Sequence, residues 1–125
     1  MSNTPEPAFL SIKKEPPYEI RSYQTLTVAE ITLEGERKNT LQNGFRHLFK
    51  YIFGHNETQK KIPMTAPVIH FCAPNNNQQW VTRFIMPDNM PHKETPKPNF
   101  KPINIIQLPA TKYAVIKFSG FSWFY

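Results

Sequence analysis

The chain has 125 residues, which is enough for one domain. It is 39% hydrophobic and 14% aromatic, so it can form a packed core, and no apolar run approaches the roughly 18 residues of a membrane span. The formal charge is +6, but the basic residues are scattered and accompany no zinc-finger, RNP-type or recognition-helix motif, so we expect no nucleic-acid partner. Cys72 is the sole cysteine and the N-terminus lacks a secretory signal, which predicts a soluble cytoplasmic protein.

Residues 1–17 are polar and carry four prolines, which predicts a flexible N-terminal arm before a single domain over 18–125. The stretch YEIRSYQTLTVAEITLEG then alternates polar and apolar residues and is rich in β-branched and aromatic ones. This pattern predicts two strands, at 18–23 and 26–33.

A helix is predicted over 37–53, after Gly35 ends the alternation. Its apolar residues recur at helical spacing and form one stripe. The glycine at position 54 suits the left-handed backbone that commonly ends a helix. The stripe consists of Leu41, Phe45, Leu48, Phe49 and Ile52.

Two prolines, Pro63 and Pro67, bracket the junction KKIPMTAPVI at 60–69. Because a residue before proline avoids helical backbone, they should turn the chain from the helix into a strand at 67–72. Thr65 can satisfy a stray backbone group there and Met64 can fill the gap beneath. We therefore interpret this segment as a structural hinge rather than a ligand clip.

Further strands are predicted at 80–87, 103–109 and 112–120, with a long proline-rich loop at 88–102. Residues 18–36 align without a gap on 103–121 when the sequence is shifted by 85 positions. This indicates a pseudo-twofold β-β-α-β-β repeat, with a first unit at 18–87 and a partial second unit at 103–125. The expected fold is an α+β antiparallel sheet or distorted barrel. Because the second repeat is incomplete, we expect a truncated product that self-associates through exposed sheet edges.

Four segments together resemble the SOUL haem-binding proteins: YEIRSY at 18–23, GFRHLFKYIFGHN at 44–56, KIPMTAPV at 61–68 and VIKFSGF at 115–121. The resemblance implies a distorted antiparallel barrel with two outer helices. It also implies a non-enzymatic protein that binds haem or another porphyrin in an apolar groove along the first helix.

The resemblance also implies which residues would line that groove. Some family members place a histidine, the suspected iron ligand, directly after Y-E-I-R, and here Ser22 stands at that position. Others rely on apolar contact and a basic residue, for which Lys50 is the match. The predicted groove consists of Phe45, Phe49 and Phe53, with Lys50 and Arg46 pairing with the propionates.

The remaining candidates are weaker. His55 follows the helix end and is a substitute iron ligand, whereas His47 is expected on the helix surface. His70 and Cys72 share a strand face but lack a third ligand, so no metal site is predicted. No catalytic motif is visible. The alternatives to haem binding are an effector or protein-interaction module for another apolar ligand, or a truncated product that has lost ligand binding.

Overall fold

One eight-stranded sheet and one α-helix form the described structure of the chain, which is a computed structural model that describes residues 6–118 and 121–124. The helix, α1, spans Arg37–Ile52, and His92–Glu94 form one 3-10 turn. The strands are β1 (Phe9–Glu15), β2 (Tyr18–Tyr23), β3 (Leu26–Glu34), β4 (Val68–Ala73), β5 (Asn76–Ile85), β6 (Asn104–Leu108), β7 (Thr111–Phe118) and β8 (Phe121–Phe124).

The sheet has the order β1-β2-β7-β8-β4-β5-β3-β6 and its pairs are antiparallel except for β4 with β8. The α+β class with an antiparallel sheet is therefore confirmed. The predicted barrel is not, because the described strands form an open order that ends at β1 and β6. The described residues also hold no helix with the length and hydrophobicity that crossing a membrane requires.

Residues 9–15 were predicted to be part of a flexible arm, but they form strand β1. They pair with β2, and the reason is the buried Arg21 of the YEIR motif. Its guanidinium contacts the ring of Phe9 at 3.9 Å and forms ion pairs with Glu6 at 2.8 Å and Glu19 at 2.7 Å. A buried cation needs such partners, so the N-terminal segment is held against the sheet. Residues 1–5 of the predicted arm lie outside the described residues.

The other predicted elements match the structure closely, with two differences. The strand expected at 80–87 begins earlier, at Asn76, because only residues 74 and 75 are needed for the turn after β4. Strand β8 was not predicted. The end of the strand predicted at 112–120 lies partly outside the described residues.

The sheet has two apolar faces because neighbouring residues of a strand point to opposite sides. Ala29 and Phe84 belong to the core cluster under α1, whereas Val28 and Ile85 belong to the second cluster on the other face. Strands β3 and β5 contribute to both clusters and so are covered on both sides. They form the fixed support on which α1 lies.

Gly44 is the point where α1 approaches the sheet most closely. A Cβ atom there would lie 2.9 Å from Thr82 Oγ1, 3.2 Å from Thr82 Cβ and 3.4 Å from Ile31 Cγ2. This approach rotates the helix so that its buried residues are Thr40, Gly44, Leu48, Tyr51 and Ile52. The buried face of the helix therefore differs from the predicted apolar stripe. Phe45 and Phe49 lie at the margin of the buried face and are half-buried.

Replacing Gly44 by alanine is expected to destabilise the fold. Overpacking costs about 1–3 kcal/mol, which exceeds the roughly 1 kcal/mol that alanine gains over glycine in a helix. Chemical denaturation should show a lower free energy of unfolding for Gly44→Ala. The exposed neighbour Asn43→Ala is the control and should be neutral or stabilising. Equal free energies of unfolding for the two variants would contradict this prediction, because they would show that the helix can move away from the sheet at no cost.

Candidate functional site

The outer surface of α1 has two flanks, one on each side of its buried face. The aromatic flank carries Phe45, Phe49 and Phe53, which follow one another along the helix. Phe45 and Phe49 have ring centroids 5.6 Å apart, and Phe49 stacks on Phe53 at 5.8 Å with an interplanar angle of 13°. Phe84 of β5 anchors this row, with edge contacts at 5.2 Å to Phe45 and 5.3 Å to Phe49. Only the last ring, Phe53, is strongly exposed, at 62%.

Arg46 and Lys50 are both exposed and lie one helical turn apart on the solvent side of α1. Neither forms an ion pair among the described residues. At about 100° per residue, both side chains lie next to the aromatic flank on its outer side. The five residues predicted for the groove thus all lie on or directly after the C-terminal half of α1, and Lys50 also lines the cavity on the opposite flank.

The opposite flank of α1 borders a cavity of about 320 Å³, which we call the loop-side cleft. His47 lies on this flank. The sequence predicted that it is a surface group, but its side chain is half-buried and its ring stacks on Phe100 at 4.4 Å. His55 lines the same cleft, away from the aromatic flank. The lining residues are His47, Lys50, Tyr51, His55, Asn99, Phe100 and Ile103.

Asn56 organises the helix end, and sequence reasoning missed it. Its side chain is 1% exposed and donates from Nδ2 to the Tyr51 carbonyl at 3.0 Å and the Lys60 carbonyl at 2.9 Å. Its Oδ1 accepts from the Thr58 hydroxyl and the Lys60 amide, both at 3.1 Å. The only sequence signal was an asparagine two residues after Gly54, whose φ of +120° supports the predicted helix-ending glycine.

The junction at 60–69 takes the structural role that the sequence predicted. The Thr65 hydroxyl donates to the Ile85 carbonyl, and Met64 packs against the core cluster under α1. Ile62 is buried and its amide donates to the Ile52 carbonyl at 2.7 Å. The Ala66–Pro67 peptide bond is cis.

His70 is buried in β4, and its ring stacks on Trp80 at 5.1 Å. Nδ1 lies 3.0 Å from the Thr82 hydroxyl, whereas Nε2 has no hydrogen-bond partner among the residues that the structure describes. Burial, together with the positive charge of Arg37, lowers the pKa of His70 to about 4. Cys72 contacts the Asn76 carbonyl at 3.6 Å, and the described residues contain no group of three metal-ligating side chains.

Ser22, at the position where some SOUL proteins carry histidine, lies in β2 between Leu10 and Lys112. Strand β2 pairs with β1 and β7, whereas α1 packs on β3 and β5. The structure therefore does not bring this position together with the five predicted groove residues.

The fold and the helix surface define a class of α+β protein. Its open, mainly antiparallel sheet is covered by one helix, and this helix exposes aromatic and basic side chains. The chain belongs to the SOUL heme-binding family, whose model matches residues 4–123.

Two relatives are named for haem binding. The chain is 38% identical over 60 residues to Heme-binding protein 2 of Homo sapiens, a match that covers 47% of this chain and 29% of the relative. It is 28% identical over 109 residues to Heme-binding protein 2 of Mus musculus, covering 84% of this chain and 53% of the relative. The chain spans about half the length, or less, of these curated relatives.

Acid should destabilise the protein through His70. The unfolded state takes up a proton near the ordinary pKa of 6.5, whereas the folded state takes it up only near 4. Between these values the unfolded state binds more protons, so the free energy of unfolding should fall with decreasing pH by at most about 1.4 kcal/mol per unit.

The variant His70→Phe keeps an aromatic ring beside Trp80 but cannot titrate. Denaturation curves measured from pH 7 to pH 4 should therefore show a smaller loss of stability for this variant than for the wild type. Carboxylates affect both proteins alike. Parallel curves for the two proteins would contradict the assignment of this pH dependence to His70.

Proposed function

We propose that the protein is a non-enzymatic binder of haem or a related tetrapyrrole, which it holds on the aromatic flank of α1. The observation that carries this proposal is the stacked pair Phe49 and Phe53 beside two cations that form no ion pair within the described part of the chain. A tetrapyrrole is a flat apolar ring with two carboxylates, so it needs apolar area and positive charge side by side. The family and the names of both relatives support the same ligand class.

The aromatic flank supplies the apolar part of this site. The Phe53 ring is exposed and is kept parallel to Phe49, which Phe84 in turn fixes against the sheet. Aromatic rings stacked in this way gain about 0.5–1.5 kcal/mol beyond the area that they bury. Because the row is already ordered, a ligand stacking on Phe53 would not have to immobilise it.

Lys50 and Arg46 supply the charged part. Both could form charge-assisted hydrogen bonds with propionates, which are roughly twice as strong as bonds between neutral groups. Lys50 also lies in the last turn of α1, where a cation is stabilised by the helix dipole. The two cations therefore fix the orientation of the ligand on the helix.

The residues fit the porphyrin ring better than they fit its iron. Each of the four histidines lies elsewhere: His47 and His55 line the loop-side cleft, His70 is buried in β4, and His92 lies in the proline-rich loop. Haem would supply its iron chemistry when bound, but the side chains on this flank hold only the ring and its carboxylates. We therefore propose binding without an axial protein ligand.

Hemin titration followed by the Soret band tests this site. Phe53→Ala should weaken binding about 3- to 10-fold through the lost stacking, and Lys50→Glu about 10- to 100-fold through the lost charge pairing. Phe53 is preferable to the half-buried Phe49 because its loss spares the core. Lys38→Glu, the same charge reversal at the other end of α1, is the matched control and should leave binding unchanged.

Iron-free protoporphyrin IX provides a second measurement in the same series. Its affinity should be close to that of hemin, because no side chain on the aromatic flank coordinates iron. A much tighter binding of hemin would indicate an axial ligand and contradict this part of the proposal. The absence of any saturable Soret shift with the wild-type protein would leave the alternative readings, an effector module or a product without ligand binding.

We also propose self-association through the edge strand β1. Leu10 is 69% exposed and Ile12 is 54% exposed, and β1 is the last strand at one side of the sheet. An exposed apolar edge is a template for pairing with a second chain, although the irregular register at Ser11 and Lys13 weakens it. Sedimentation velocity should show concentration-dependent dimers that Ile12→Glu reduces. A monomer at all concentrations would contradict this.

A further inference from the structure

The loop-side cleft lies on the flank of α1 opposite the proposed tetrapyrrole site. Its walls come from the C-terminal half of the helix and from residues 99–103, which are separated by nearly half of the chain. At about 320 Å³ it is at the lower end of the roughly 300–1,000 Å³ found for small-molecule pockets. A ligand of one or two rings matches this size better than a whole tetrapyrrole.

Each wall of the cleft contributes one aromatic ring. The rings of His47 and Phe100 are stacked 4.4 Å apart with an interplanar angle of 15°, and Phe100 remains 42% exposed. Burial, with the charges of Arg46 and Lys50, lowers the pKa of His47, which favours the neutral imidazole. Ile103, which is 4% exposed, completes the apolar lining. The uncovered part of the Phe100 ring therefore offers an apolar surface to a planar ligand.

The polar part of the cleft lining favours an anion. It carries the Lys50 ammonium, the His55 imidazole and the Asn99 amide, and no aspartate or glutamate is among the residues that line it. Lys50 has no ion-pair partner among the described residues. A carboxylate placed here would gain a charge-assisted hydrogen bond without displacing an existing one.

Hydrogen bonds join the loop to the end of the helix beside the cleft. The Tyr51 hydroxyl donates to the Pro96 carbonyl at 2.6 Å, and the backbone amide of Asn99 donates to the His55 carbonyl at 3.3 Å. The Glu57 amide also donates to the Lys97 carbonyl at 2.9 Å. The loop is thus tied to the helix end at three places, and a preformed cleft spares a ligand the cost of ordering it.

A second cavity of about 540 Å³ lies beyond Ile103, which lines both cavities. It contains Lys93, Lys97 and Lys101 and again has no acidic residue in its lining. These lysines form no ion pairs among the described residues. Their combined positive potential would attract anions toward this side of the helix.

We propose that the loop-side cleft binds a small planar aromatic carboxylate. The ring lies against the uncovered part of Phe100, which is stacked on His47, and the carboxylate is held by Lys50 and the side chain of Asn99. This site is separate from the aromatic flank, because His47 and Phe53 point in directions about 120° apart around the helix axis. Lys50 lies between the two sites and can serve either ligand.

Indole-3-acetate is a suitable probe because it combines a bicyclic ring with one carboxylate. Calorimetric titration of the full chain should give saturable binding, and Phe100→Ala should weaken it about tenfold, as expected for the loss of an aromatic contact and the apolar area beneath it. Indole-3-acetamide, which has the same shape without the charge, should bind about tenfold more weakly than the carboxylate. Circular dichroism verifies that each variant is folded.

Phe53→Ala is the matched control, since it removes an exposed phenylalanine from the other flank. It should weaken hemin binding and leave indole-3-acetate binding unchanged, whereas Phe100→Ala should do the reverse. This exchange of effects distinguishes the cleft from the proposed function, because either ligand can fail to bind while the other still does.

Three results would overturn the cleft proposal. These are no binding of indole-3-acetate by the wild-type protein, equal binding of the acid and the amide, and unchanged affinity in Phe100→Ala. Displacement of indole-3-acetate by hemin with Phe53→Ala weakening both ligands would also overturn it, because one shared site would then account for both. Loss of hemin binding alone would overturn only the tetrapyrrole proposal.

Discussion

The close approach of α1 to the sheet at Gly44 is the constraint on which the surface of this protein depends. Because Thr82 and Ile31 leave no room for a side chain there, the helix axis is drawn close to β3 and β5 and its rotation is fixed. Leu48 and Ile52 are then fully buried, while Phe53 and Lys50 are left exposed. One helix thereby presents different chemistry on each of its two flanks.

The C-terminal end of α1 joins this helix to the proline-rich loop. Asn56 closes the turn after Gly54 with four side-chain hydrogen bonds, and Tyr51 reaches across to Pro96. Prolines stiffen the loop but remove backbone donors, so the bonds to the helix end take the place of a strand ladder. Residues that are far apart in sequence are in this way held together beside the helix end, where Phe100 stacks on His47.

The two proposed sites share Lys50 but differ in shape. The aromatic flank is a row of rings ending in the exposed Phe53, which suits a broad flat ligand. The loop-side cleft is concave and small, which suits a ligand of one or two rings. A shared cation between two aromatic surfaces would couple the sites, because carboxylates bound on either side compete for one ammonium.

The sequence by itself determined α1, the strands β2 to β7, the α+β class, the hinge at 60–69 and the family, because alternation, helical spacing and proline act locally. It also indicated which aromatic and basic residues share the outer half of α1. Only the tertiary structure decided how the helix is rotated, since that depends on Gly44 meeting Thr82. It likewise decided that Phe9 and Glu6 fold onto a buried Arg21 and that His47 meets Phe100, because contacts between distant residues leave no periodic trace in a sequence.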